Sequence, residues 1–341
     1  MRLLCFLAAA LLAPLPAAAQ DDPSSIVVTR DGADIPPPPI VRLAEAAPRT
    51  ELLTDQPGPR LWKIGDTDTT IYLFGTVHVL PDGFVWRTPA INAAIDASDE
   101  LVIEAQAPDN PFVISAAFAQ VAFSRANPPL RARLDERLHP LIDAMVEDQD
   151  LPESFFDKLD SWAVATWIWE MEDEAVDWGP GTEAQLETQF RDAGKPMDTL
   201  EKFSFQVALF DRLDLDLQHF MLADTLEDRY GSDEAAASSK EQFDTLLANW
   251  IAGHPLDIGA EMLEYDLTQE DLEEAGLAKR FGEQFFDLLL TQRNRNWIEW
   301  LKDRLEAPGT VFVAVGAGHM AGDQSVIAML EAEDIEVIRL Q

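Results

Sequence analysis

Two of the five histidines in this 341-residue chain stand in matching settings. His78 closes "YLFGTVH" and His319 closes "VFVAVGAGH", each after an apolar run, a glycine and two further residues. A turn at the end of a strand needs the glycine but not the imidazole. Imidazole combined with carboxylate is the usual nitrogen and oxygen ligand set for a divalent metal. Glu104, near the end of "ELVIEA", and Glu201, closing "MDTLE", supply carboxylates at the ends of two other apolar runs. An ion with an open coordination position would lower the pKa of bound water and polarise a carbonyl, as in a hydrolase. A carboxylate left out of the ligand set would serve as general base. "QRNRNW" adds Arg293 and Asn294, donors that would orient a substrate or an oxyanion; the plainer reading of such an arginine is a surface ion pair. His139, His219 and His254 read as ordinary packing or surface residues, and Trp162, Trp167, Trp169 and Trp178 as helix-packing core. The chain has no serine elbow, no phosphate-cradling glycine loop and no HExxH.

These residues can meet only if the elements carrying them share one sheet. "RLWKIGDTDTTIYLFGTVHVL" reads as a β-hairpin around the polar turn 65–70, with His78 past its second strand. Thr88 and Pro89 then open a helix as N-cap and first helical residue, and the strand "DELVIEA" follows. Strand, helix and strand at this spacing form a βαβ unit, so the strands leading to His78 and Glu104 should be parallel. From about 111 to 304 apolar residues recur three and four apart, a helical pattern, interrupted by the strand-like "GKPMDTLEKF". The chain closes on a second unit, "TVFVAV", "GAGH", helix and "IEVIRL". The expected fold is therefore α/β: a central mixed, mostly parallel sheet built from N- and C-terminal βαβ units, with a large helical insertion over about 111–304. The two ends echo one another and should lie side by side. Ligands of such sheets bind beyond the carboxyl ends of the strands, which is where His78, Glu104, Glu201 and His319 would fall.

The formal net charge of −37 makes nucleic acid and anionic membrane surfaces poor partners; a saline habitat also selects acidic surfaces. Residues 1–20, with Arg2, an apolar run and small residues Ala17 and Ala19, read as a secretory signal peptide cleaved near Ala19. The expected location is periplasmic or secreted, with no membrane span. Cys5 is the only cysteine and lies in that leader, so the mature chain would have no disulfide and no thiol chemistry. Residues 21–59 are proline-rich and read as an extended arm, with a weak strand at "SIVVT", and 60–341 read as one domain.

"LFGTVHVLPDG", "LVIEA", "GTEAQL", "AGKPMDTLEKFSFQ", "RNRNW" and the terminal "GAGH" block together resemble the TraB/PrgY/GumN family, whose animal relatives are the Tiki metalloproteases. The resemblance spans about 61–340. It implies an α/β core related to the erythromycin-esterase-like and ChaN-like groups, and a metal site of motif histidines and a glutamate. It implies a divalent ion, with manganese or cobalt used in the Tiki branch and zinc the further option. On that pattern His78, Glu104 and His319 match the metal ligands, Glu201 the glutamate of the "LE" block, and Arg293 with Asn294 the "RNxxW" pair. Gln206 matches a glutamine after that block, and Glu183 in "GTE" is a second-tier match. The resulting expectation is an exported metal-dependent hydrolase acting on a peptide or small molecule. The alternatives are a non-enzymatic protein sequestering a peptide or haem-like ligand, and a metal-independent esterase.

Overall fold

The structure is a computed structural model. It describes residues 28–30, 33–35, 52–108, 110–124, 127–169, 178–256 and 272–341. The expected leader over 1–20 and most of the arm lie outside these residues. Within the arm, β1 (Val28–Arg30) and β2 (Ala33–Ile35) form a short antiparallel ribbon at the end of the expected strand.

The main sheet has six strands. They are β3 (Leu61–Gly65), β4 (Thr69–Thr76), β6 (Glu100–Ile103), β8 (Met197–Thr199), β9 (Gly309–Gly316) and β10 (Ile338–Arg339), in the order β10-β3-β4-β9-β6-β8. β4, β9, β6 and β8 are parallel, and β3 alone runs against its neighbours. The hairpin β3–β4 turns on Asp66, whose carboxylate accepts from the backbone N–H groups of Asp68 and Thr69. β4 and β6 are parallel as expected, but they do not touch: β9 lies between them. The two glycine-histidine strands are thus direct neighbours, with Gly75 paired to Val315 and Thr76 to Gly316.

Alternation along β9 builds a core on each face of the sheet. Phe312 and Ala314 point to one side with Phe74, Trp86, Ile91 and Ile103, under helix α1 (Pro89–Ala97), which Thr88 caps by accepting from Ile91 N–H. Val311, Val313 and Val315 point to the other side. They meet Trp297, Ile298 and Leu301 of α10 (Gln292–Leu305) and Val326 and Leu330 of α11 (Val326–Ala332). Central strands buried on both faces need near-continuous apolar runs, which β4, β6 and β9 supply.

Between β6 and β9 the chain is mainly helical. The segment includes α2 (Pro111–Ala122), α3 (His139–Gln149), α4 (Ser161–Trp169), α5 (Thr182–Asp192), α6 (Phe203–Val207), α7 (Leu215–Tyr230), α8 (Asp233–Ile251) and α9 (Leu272–Phe286). Among the described residues two strands interrupt it. β8 joins the main sheet, and β7 (Trp178–Pro180) pairs with β5 (Val79–Pro81) just beyond His78. No helix among the described residues is long and apolar enough to cross a membrane.

Candidate metal centre

Each candidate side chain reaches the centre because an element ends there. β4, β6, β8 and β9 all stop at one edge of the sheet, and His78, Glu104, Glu201 and His319 follow those four strand ends in turn. α10 enters the same edge after a single turn of π-helix at 287–291, a distortion often found beside functional sites. Its buried stripe is Arg293, Asn294, Trp297, Ile298 and Leu301, the spacing of an amphipathic helix facing a core. The sheet-facing side of this helix therefore delivers Arg293 and Asn294 as well as Trp297.

Gly316 sits where the two histidines and Glu104 converge. A β-carbon added there would lie 3.2 Å from Glu104 Oε1, 3.4 Å from His78 Nε2 and 3.6 Å from His319 Cδ2. The missing side chain leaves the space between them open. Gly75 serves a different need: a β-carbon there would come within 3.0 Å of Ala317 Cα, where the two turns cross.

His78, Glu104 and Glu183 each offer an atom within 4.8 Å of the other two, the one such group of potential metal ligands among the described residues. Glu183 Oε1 lies 3.0 Å from His78 Nδ1 and accepts from Thr76 Oγ1. Its Oε2 is buried with no hydrogen-bond partner. Burial alone would lower the pKa of His78. The charge and hydrogen bond of Glu183, helped by the charge of Glu104, outweigh it and hold the imidazole above its ordinary value.

Glu104 divides the centre. Its Oε1 accepts from Gly316 N–H at 2.7 Å, facing the histidines. Its Oε2 accepts from Arg293 Nη2 and from Gln206 Nε2 at 3.3 Å. Burial would raise this carboxyl, but Arg293 beside it holds it well below the usual carboxylate range. Glu201 binds Arg293 through both oxygens, at 2.6 and 3.1 Å. Burial pushes the Glu201 carboxyl upward, the Arg293 charge opposes it, and the net shift is upward. Arg293 also donates to Leu289 O at 3.1 Å and lies 4.8 Å from the Trp297 ring centre.

His319 stands outside the group of three ligand candidates. Its Nε2 is 3.7 Å from Glu104 Oε1 and 3.3 Å from Arg293 Nη1, and its Nδ1 is 2.5 Å from Asn294 Oδ1. The ring packs 4.3 Å from that of Trp297. Burial, helped by the charge of Arg293, pushes its pKa down to about 3 against the pull of Glu104, so the ring is neutral at ordinary pH.

The sequence-expected residues are therefore all gathered here: His78 and Glu104 stand together with Glu183, His319 stands beside Glu104, and Gln206 touches Glu104. The donors of Arg293 and Asn294, expected to face a substrate, are turned to protein partners, and both side chains are almost fully buried. Of the three carboxyl groups here, Glu104 and Glu201 share the Arg293 guanidinium and Glu183 faces the His78 imidazole, which leaves room for a further positive charge. The donor set, the orphaned Glu183 oxygen and the gap over Gly316 all fit a divalent cation.

A family model describes residues 60–339. The chain belongs to the TraB/PrgY/gumN family. The match covers the whole sheet from β3 to β10 and every residue of the centre. No curated protein and no solved structure matches the chain.

Proposed function

We propose that this family member is a metal-dependent hydrolase acting on peptides, exported to the periplasm or beyond by the leader over 1–20. The observation that carries the reading is the convergence of His78, Glu104 and Glu183 within 4.8 Å from three separate chain segments at the carboxyl edge of a parallel sheet. These three residues would hold the ion, with His319 at the edge of the set. A divalent ion there would act as Lewis acid on a scissile carbonyl and make bound water a usable nucleophile at neutral pH.

The protein's own groups divide the remaining work. Glu183 Oε1 accepts from His78 Nδ1, which turns His78 Nε2 toward Gly316 and Glu104. Arg293 fixes the Glu104 carboxylate from its far side, and Glu201 fixes Arg293. Glu201 therefore supports the site rather than activating water, since both of its oxygens are engaged. Side-chain exposure is 18% for His78 and 12% for Glu183, against 4% for His319 and 7% for Glu104. A substrate would arrive over the His78 side.

Metal analysis of the purified mature protein, with calorimetric titration of manganese, cobalt and zinc, tests the reading beside a peptide-library digest. Expected are stoichiometric binding and chelator-sensitive cleavage, both lost in Glu104→Gln with the fold intact. Binding without cleavage would replace the enzyme with a sequestering protein. Cleavage that survives chelation would replace it with a metal-independent hydrolase.

A further inference from the structure

The centre contains two imidazoles, and the partners of the second constrain where its proton sits. Asn294 Nδ2 donates to Gln324 O at 2.7 Å. A backbone carbonyl only accepts, so the amide nitrogen must face Gln324 and Oδ1 must face His319. Oδ1 is itself an acceptor, 2.5 Å from His319 Nδ1, and the proton between them must sit on Nδ1. On the opposite side of the ring Arg293 Nη1 stands 3.3 Å from Nε2. A guanidinium only donates, so Nε2 must carry its lone pair. Two independent neighbours thus require the same state.

We propose that Asn294 is a positioning residue that locks His319 as the neutral Nδ1–H tautomer, with the unprotonated Nε2 accepting from Arg293 Nη1. The inference refines the hydrolase reading and names a role for the asparagine that substrate contact cannot supply. It also explains the pairing of the two residues in "RN": the arginine sets one ring nitrogen and the asparagine the other. A mere packing role for Asn294 would be met by leucine. Setting a tautomer needs an acceptor aimed at Nδ1, with the amide itself held by Gln324.

Long-range proton–nitrogen NMR on metal-free protein with labelled histidine reads the tautomer directly, with no need of turnover. In the wild-type protein at neutral pH, His319 should show a protonated Nδ1 and a bare Nε2. A protonated Nε2, or a rapidly exchanging mixture, overturns the proposal. In Asn294→Leu the Nδ1–H preference should be lost, and an unchanged spectrum would show that Asn294 does not set it. Should that variant fail to fold, Asn294→Asp carries the test. A charged acceptor must keep the proton on Nδ1 and move its resonance downfield, and an unmoved resonance overturns the proposal. Cobalt affinity gives a second readout: a fall of about 10- to 100-fold in Asn294→Leu, with most of it recovered in Asn294→Asp. A protein with the expected tautomer that binds no metal would remove the hydrolase reading and leave this inference standing.

Discussion

The two glycine-histidine turns share a motif, a strand register and a sheet edge, yet they place their imidazoles in opposite environments. His78 lies on the wetter side, against a carboxylate that raises its basicity. His319 lies on the dry side, against an amide and beside a guanidinium and an indole, and is held neutral. The motif delivers a ring to the centre, while burial and the neighbouring charges decide what kind of base that ring becomes. A carboxylate makes an electron-rich ligand, and an amide fixes the tautomer without adding charge.

The most severe way to break this contrast is Arg293→Met. It leaves Glu104 and Glu201 buried without their cation and should cost about 3–5 kcal/mol in chemical denaturation, disabling the dry side first. Gly316→Ala should cost about 1–3 kcal/mol, because its methyl group would enter the gap between Glu104 Oε1 and His78 Nε2. Calorimetry should find its metal binding abolished while circular dichroism still shows the native fold. Glu183→Gln converts the wet side toward the amide type and should weaken metal binding by about 10- to 100-fold in the same titration.

The pH response of the metal-free protein sharpens the comparison further, because the two rings carry opposite signs. His78, raised in the folded state, contributes stability below the unfolded value of about 6.5 and loses it as pH rises through the folded value. His319, lowered to about 3, contributes above about 6.5 and loses its contribution as pH falls toward 3. Urea midpoints measured across this range should show Glu183→Gln flattening the alkaline change and His319→Gln flattening the acid one. The smallest effect belongs to Thr76→Val, which removes one donor to Glu183 and should cost about 1 kcal/mol in the same unfolding assay.

Much of this was legible in the residues. The repeated pattern of strand, GxxH, helix and strand was enough to place β4 and β9 together and to bring His78, Glu104, Glu201 and His319 to one edge. The strand order was not, because chain order does not reveal that β9 inserts between β4 and β6. Glu183 was underweighted for a local reason. It sits in the first turn of α5 behind Gly181 and Thr182, where an acid commonly complements the helix dipole. The cue that it does more lies in tertiary contacts: Thr182 exchanges hydrogen bonds with the backbone of Val77 beside His78. Likewise "RNRNW" announced donors on the last long helix without saying what they face. Only the packing of α10 on the sheet turns them to Glu104, Glu201, His319 and Gln324.

The place of β9 carries a consequence for biogenesis. The strand between β4 and β6 comes from beyond the long helical segment, so a ribosome must deliver all of that segment before β4 and β6 acquire the neighbour they share. Until then both present unpaired edges, and the parallel pairing that heals them closes very long loops, a slow step. A nascent chain of this design waits open for its final strand, and a premature stop upstream of β9 would yield an unsealed sheet prone to aggregation rather than a smaller working protein.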